Sequence, residues 1–194
     1  MKMLALMLAV IASQIAVAAG PFGVDIGSDI TRYPTCEPTD AQDIYRCASV
    51  PNPHSAFEFY MIQHNTGTGV CWIKGAGKDI NDNGYGTATR GAVDLIASQL
   101  ATNYGPHTEK NDAKFPSALW GEDSEWLMAI SKSERIYTYQ WESSDRYTPV
   151  NRINSIFAGA MSLGRDVGYI VVEYYGDNYE QCEEAKNSLD ADVL

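Results

Sequence analysis

Oxygen-bearing side chains stand at positions 1, 3 and 5 of Asp79-Ile80-Asn81-Asp82-Asn83-Gly84, with glycine at position 6. That is how a calcium loop opens: alternate side chains turn toward one hard cation, and glycine permits the sharp bend. Counted from Asp79, position 12 is Arg90, where such a loop needs a bidentate carboxylate, and position 8 is Gly86, where an apolar residue is usual. The stretch also follows a strand instead of a helix. A tight turn uses the same residues with fewer demands. Asn83-Gly84 offers φ > 0, Asp and Asn bond their own backbone in turns, and Thr87 can cap a following helix. The stretch reads as a turn, and no metal is assigned.

Acid–base chemistry has little to work with. The three histidines are His54 in a Pro-Asn-Pro-His loop, His64 at a strand end and His107 beyond a Gly-Pro helix stop. None is spaced with a nucleophile or with a cysteine as a metal pair would be. No Gly-x-Ser-x-Gly elbow or His-Glu-x-x-His helix occurs, and Gly75-Ala76-Gly77-Lys78 is too short for a phosphate loop. Paired acids such as Glu122-Asp123 and Glu183-Glu184 suit helix starts. No catalytic residue and no cofactor is assigned.

Aromatic residues are the remaining signal. Tyr137, Tyr139 and Trp141 alternate along one strand, with Tyr169 and Tyr174-Tyr175 in another. Exposed, Tyr137, Tyr139 and Trp141 would form a binding surface for a glycan or a protein; covered by helices, they would be core.

The elements that must position these groups follow from periodicity. Ala56–His64 and Val70–Lys74 are β-branched and aromatic around the turn Asn65–Gly69, a hairpin. Ala92, Val93, Ile96, Leu100 and Tyr104 share one face of a helix over 88–104, stopped by Gly105-Pro106. A shorter helix is expected over 124–131, strands over 135–141, 153–163 and 168–175, and a last helix from Asp177, with Glu180 completing a capping box. The expectation is an α+β domain: an antiparallel sheet of about five strands, two main helices packed on one face, and disulfide ties.

The first residues, MKMLALMLAVIASQIAVAAG, carry one lysine, a short apolar run and the A-x-A site Ala16-Val17-Ala18. They read as an export leader over 1–19, preceding a domain over 20–194. No later stretch is apolar enough to span a bilayer. Four cysteines in an exported chain imply two disulfides, with three connectivities. Cys36 with Cys47 and Cys71 with Cys182 is the favoured set, a short loop and a long tie from an early strand to the last helix. The 25 acidic and 14 basic residues give a net charge of −11, which repels nucleic acid and anionic membranes and suits a basic partner.

Pro21-Phe22-Gly23, Gly69-Val70-Cys71-Trp72-Ile73-Lys74, Gly168-Tyr169-Ile170 and Cys182-Glu183-Glu184 together resemble a group of small exported bacterial proteins of unassigned function. The resemblance implies export, and it implies a cysteine on the CWIK strand and another on the terminal acidic helix, in keeping with Cys71–Cys182. It brings no activity. The functional expectation is an interaction module in the periplasm or outside the cell that binds a protein partner, as an inhibitor or immunity-type protein. A carbohydrate or cell-wall binder stands second and a hydrolase third.

Overall fold

Alternation of large apolar residues with smaller or polar ones makes strands, and the longest such runs form the centre of a single sheet. In the computed structural model, residues 20–142, 144 and 147–191 are described; the expected leader over 1–19 and the extreme C-terminus lie outside them. The strands are β1 (Cys36–Pro38), β2 (Ile44–Cys47), β3 (Phe57–Asn65), β4 (Gly69–Gly77), β5 (Ile80–Asn81), β6 (Glu109–Lys114), β7 (Arg135–Trp141), β8 (Ile153–Ser162) and β9 (Val167–Gly176). The helices are α1 (Thr87–Tyr104), α2 (Trp126–Ser131) and α3 (Tyr179–Ala191). The strand order is β1-β2-β3-β4-β9-β8-β7-β6, with β5 also on β9, and the pairings are antiparallel.

The α+β class holds, but about five strands with two main helices on one face is incorrect. The sheet has nine strands. Those missing from the expectation are β1 (Cys-Glu-Pro), β2, the two-residue β5 and β6 (Glu-Lys-Asn-Asp-Ala-Lys). β1 and β6 are the two edges of the sheet, where backbone pairing on one side suffices and charge or proline discourages further pairing. Their polarity hid them.

Register divides the sheet into two faces. Trp141, Ile156, Tyr174, Ile73, Ile62 and Tyr45 lie opposite one another in succession across five strand pairs and form an inner row. The adjacent row, Gln140, Phe157, Glu173, Lys74, Met61 and Arg46, points the other way. α1 covers the inner face with Val93, Ile96, Ala97 and Leu100, and α2 does so with Trp126, Leu127 and Ile130, all buried. α3 instead meets the outer face, where Glu183 accepts from Gln63 Nε2 at 2.7 Å and Tyr179 packs edge-on to Tyr175. Helices therefore flank both faces, and among the described residues α3 covers only part of the outer one.

Two disulfides, Cys36–Cys47 and Cys71–Cys182, tie the chain as favoured. The first joins directly opposed residues of β1 and β2. The second fastens α3 to β4. Bonds of this kind persist in oxidising, extracellular-type surroundings. Among the described residues no helix is long and apolar enough to cross a membrane. Before β1, a turn at Pro21–Gly23 holds Phe22 at φ 56°, and its ring packs on Phe57, Tyr60 and Tyr174 at 4.8–5.6 Å between centroids.

Candidate functional site

The open outer face carries a polar cluster at its middle. Glu173 of β9 accepts from Lys74 Nζ at 2.9 Å, Trp72 Nε1 at 3.2 Å and Tyr175 O–H at 2.6 Å. Trp72 and Lys74 alternate on β4 and meet Glu173 and Tyr175 because the two strands pair with Lys74 opposite Glu173 and Trp72 opposite Tyr175. Partial burial raises the Tyr175 pKa, and the adjacent Glu173 carboxylate raises it further, so Tyr175 stays a neutral donor. The cluster fixes the aromatic side chains in place, as binding surfaces require.

Beside it, where β8 and β9 meet the start of α3, lies a cleft of about 500 Å³. Phe157, Tyr175 and Tyr179 supply its rings, and Glu142, Asp177 and Glu180 supply its acids. Arg152 clamps Asp177 through Nε at 3.1 Å and Nη2 at 2.7 Å. Asp177, which the sequence suggested as the start and cap of the last helix, is instead an ion-pair partner of Arg152, and α3 begins two residues later at Tyr179. Glu142 and Glu180 have no cationic partner among the described residues, and no lysine or arginine lines the cleft. Aromatic faces beside unpaired carboxylates attract a cation.

The aromatic strand singled out from the sequence faces the other way. Tyr137, Tyr139 and Trp141 are 3%, 7% and 0% exposed beneath α1 and α2. The Tyr137 and Tyr139 hydroxyls both donate to Asp94 of α1 at 2.6 Å, and Trp141 Nε1 donates to the Gly105 carbonyl at 2.8 Å. Burial, then the hydrogen bond to Asp94, pushes Tyr139 up to about 12. At Asp94 burial acts upward, but the two hydroxyls and Lys110 outweigh it and hold the carboxyl below 3.8. These residues anchor α1 to the sheet and offer no surface to a ligand.

The calcium-like stretch is a capping device. Asp82 Oδ1 accepts from Asn83 N at 2.8 Å and Ala88 N at 3.1 Å, while Oδ2 accepts from Thr89 N at 2.7 Å and Thr89 Oγ1 at 2.8 Å. Both oxygens are occupied by the first turn of α1. Thr87 is not the cap: Gly86 precedes the helix at φ 67°, and Asp82 caps it from upstream. Gly84, expected to supply the positive φ, is glycine because a Cβ would meet the Ser124 carbonyl at 2.0 Å. Among the described residues no three His, Cys, Asp or Glu side chains converge as a metal site would.

The histidines do not meet these acids. His107 stacks edge-on against Tyr139, His64 is buried near Tyr45, and His54 lines a second cleft on the inner face. Sequence reasoning missed Trp72, Lys74, Glu173 and Tyr175, although a strict alternation was visible: Trp72 and Lys74 interleave with Cys71 and Ile73, and a glutamate stands mid-strand between valine and tyrosine. Searched against protein-family models, curated proteins and solved structures, the chain finds no match.

Proposed function

We propose that the protein is an exported interaction module, acting in the periplasm or outside the cell, that captures a basic protein through its open sheet face. An inhibitor or immunity-type role against a cationic enzyme is the concrete form of this reading. One observation carries it: the cleft beside α3 places Glu142 and Glu180, without cationic partners among the described residues, next to Phe157, Tyr175 and Tyr179. That combination suits a lysine or arginine side chain inserted from a partner, with the rest of the outer face as the surrounding contact. The net charge of −11 steers such a partner inward.

The test is capture of envelope and culture proteins by the oxidised chain, followed by titration calorimetry with the purified partner. The expected complex is stoichiometric, weakens in 0.5 M salt, where the Debye length is about 4 Å, and loses about tenfold or more in affinity in Glu142→Gln/Glu180→Gln. A complex indifferent to both salt and the double substitution would remove the basis of this reading.

A further inference from the structure

On the inner face, between α1, the Pro21–Gly23 turn and β9, lies a second cleft of about 700 Å³, within the roughly 300–1,000 Å³ usual for small-molecule sites. Its lining differs from the rest of the chain. One fifth of all residues are charged, yet no Asp, Glu, Lys or Arg lines it. Four amides do: Asn52, Gln99, Asn103 and Asn151. Phe22, Phe57 and Tyr104 supply the rings.

Tyr174 is the unusual member. It is 5% exposed, it lines the cleft, and its hydroxyl forms no hydrogen bond among the described residues; nor does that of Tyr104. Tyr174 is not among the fully buried polar atoms that lack a partner, so its hydroxyl opens onto the cleft, where a ligand atom can complete its bond. His54 adds a donor. Ala56 N donates to its Nδ1 at 3.2 Å, so the neutral ring carries its proton on Nε2.

We propose that this cleft binds a neutral saccharide of one or two rings, with an N-acetylated hexosamine as the form that uses hydroxyl and amide partners together. An anion or a cation would be desolvated here with no opposite charge to receive it. A hydrocarbon would leave the Tyr174 hydroxyl and the amides unsatisfied. A sugar ring satisfies both demands: its apolar C–H face lies against aromatic rings, and its hydroxyls meet amides and phenols. The site is on the opposite side of the sheet from the acidic cleft, so either can fail alone; only the expected export is common to both.

The test is saturation-transfer NMR and calorimetry on the full exported chain, with N-acetylglucosamine and its β-1,4 dimer as neutral probes and glucosamine and glucuronate as charged analogues. The neutral probes bind, and each charged analogue binds about tenfold more weakly or worse, as expected of unpaired charge in a desolvated site. Tyr174→Phe and Asn103→Ala each weaken N-acetylglucosamine by about fivefold or more, the scale of one lost hydrogen bond. Glu142→Gln/Glu180→Gln leaves saccharide binding unchanged. Tyr174→Phe also keeps or raises the unfolding midpoint, since the hydroxyl has no partner to lose among the described residues, so its effect on binding is not a folding defect. No saturation transfer from either neutral probe, binding of glucuronate as strong as that of N-acetylglucosamine, or binding that Tyr174→Phe leaves unchanged would each overturn the assignment.

Discussion

Replacing Asp82 with alanine separates a cap from a calcium site. The carboxylate accepts four hydrogen bonds, two of them from Ala88 N and Thr89 N in the first turn of α1. Those are the backbone donors an N-cap side chain normally satisfies, and loss of such a cap costs about 0.5–2 kcal/mol. Two further effects push the cost to the top of that range and beyond it. The Thr89 side chain is fully buried and loses the partner of its hydroxyl, and a negative charge leaves the positive end of the helix. The expected loss for Asp82→Ala is about 2–3 kcal/mol, and about 1 kcal/mol for Asp82→Asn, which keeps one acceptor oxygen. With a urea slope of about 2 kcal/mol/M, the alanine midpoint falls by about 1–1.5 M. The pH profile gives a second reading. Partial burial alone would raise the Asp82 pKa, but the donors from Thr89, Asn83 and Ala88 outweigh it and hold the carboxyl below 3.8. A depressed folded pKa contributes stability that is present above the unfolded value and is lost as pH falls through the folded one. The wild-type protein should therefore lose stability below about pH 4 more steeply than Asp82→Ala. Urea unfolding at neutral and acid pH, with and without millimolar calcium, decides the matter. A cost under about 0.5 kcal/mol would refute the capping argument, as would a calcium-dependent rise in the wild-type midpoint that Asp82→Ala abolishes.

Removing Cys71–Cys182, which spans 111 residues, should cost about 4–5 kcal/mol on the chain-entropy account, against about 3 kcal/mol for Cys36–Cys47, which spans 11; denaturation of the two paired alanine variants compares them directly. Gly86→Ala forces a left-handed φ on a residue whose Cβ would strike the Trp126 ring at 2.2 Å. It should lose about 2–4 kcal/mol, measured by thermal unfolding. At alkaline pH the order reverses. Burial pushes Tyr139 and Tyr147 up to about 12, so each contributes stability that is full below pH 10 and is lost as pH rises toward 12; Tyr147→Phe should flatten that limb in a tyrosinate-absorbance titration.

The central elements could be recognised because each combines a period with a stop. α1 ends at the expected Gly105, β7 has the expected bounds of Arg135–Trp141, and β3, β4, β8 and β9 differ by a few residues at their ends. The edges could not be recognised, since Glu109–Lys114 pairs through its backbone and needs no apolar residue. Alternation along Arg135–Trp141 showed that Tyr137, Tyr139 and Trp141 share a face, but not which face the helices cover. That depends on Asp94, more than 40 residues away, accepting both tyrosine hydroxyls. The outer cluster was hidden for the same reason: Lys74 and Glu173 become partners only through the pairing of β4 with β9.

That pairing divides the route to the folded state. On one side of it β1 to β4 follow one another, and on the other β6 to β9 do so, each half a run of neighbouring strands that closes early and cheaply. Among the strand pairs, the joins of β4 and of the short β5 to β9 bring together residues about a hundred positions apart, at roughly 2–3 kcal/mol more closure entropy than a tight hairpin. That cost makes the long-range join the expected slow step of folding. The cysteine on β4 and the cysteine after β9 come within reach only once the join exists, so their oxidation latches the long-range join, as Cys36–Cys47 latches the local pairing of β1 with β2.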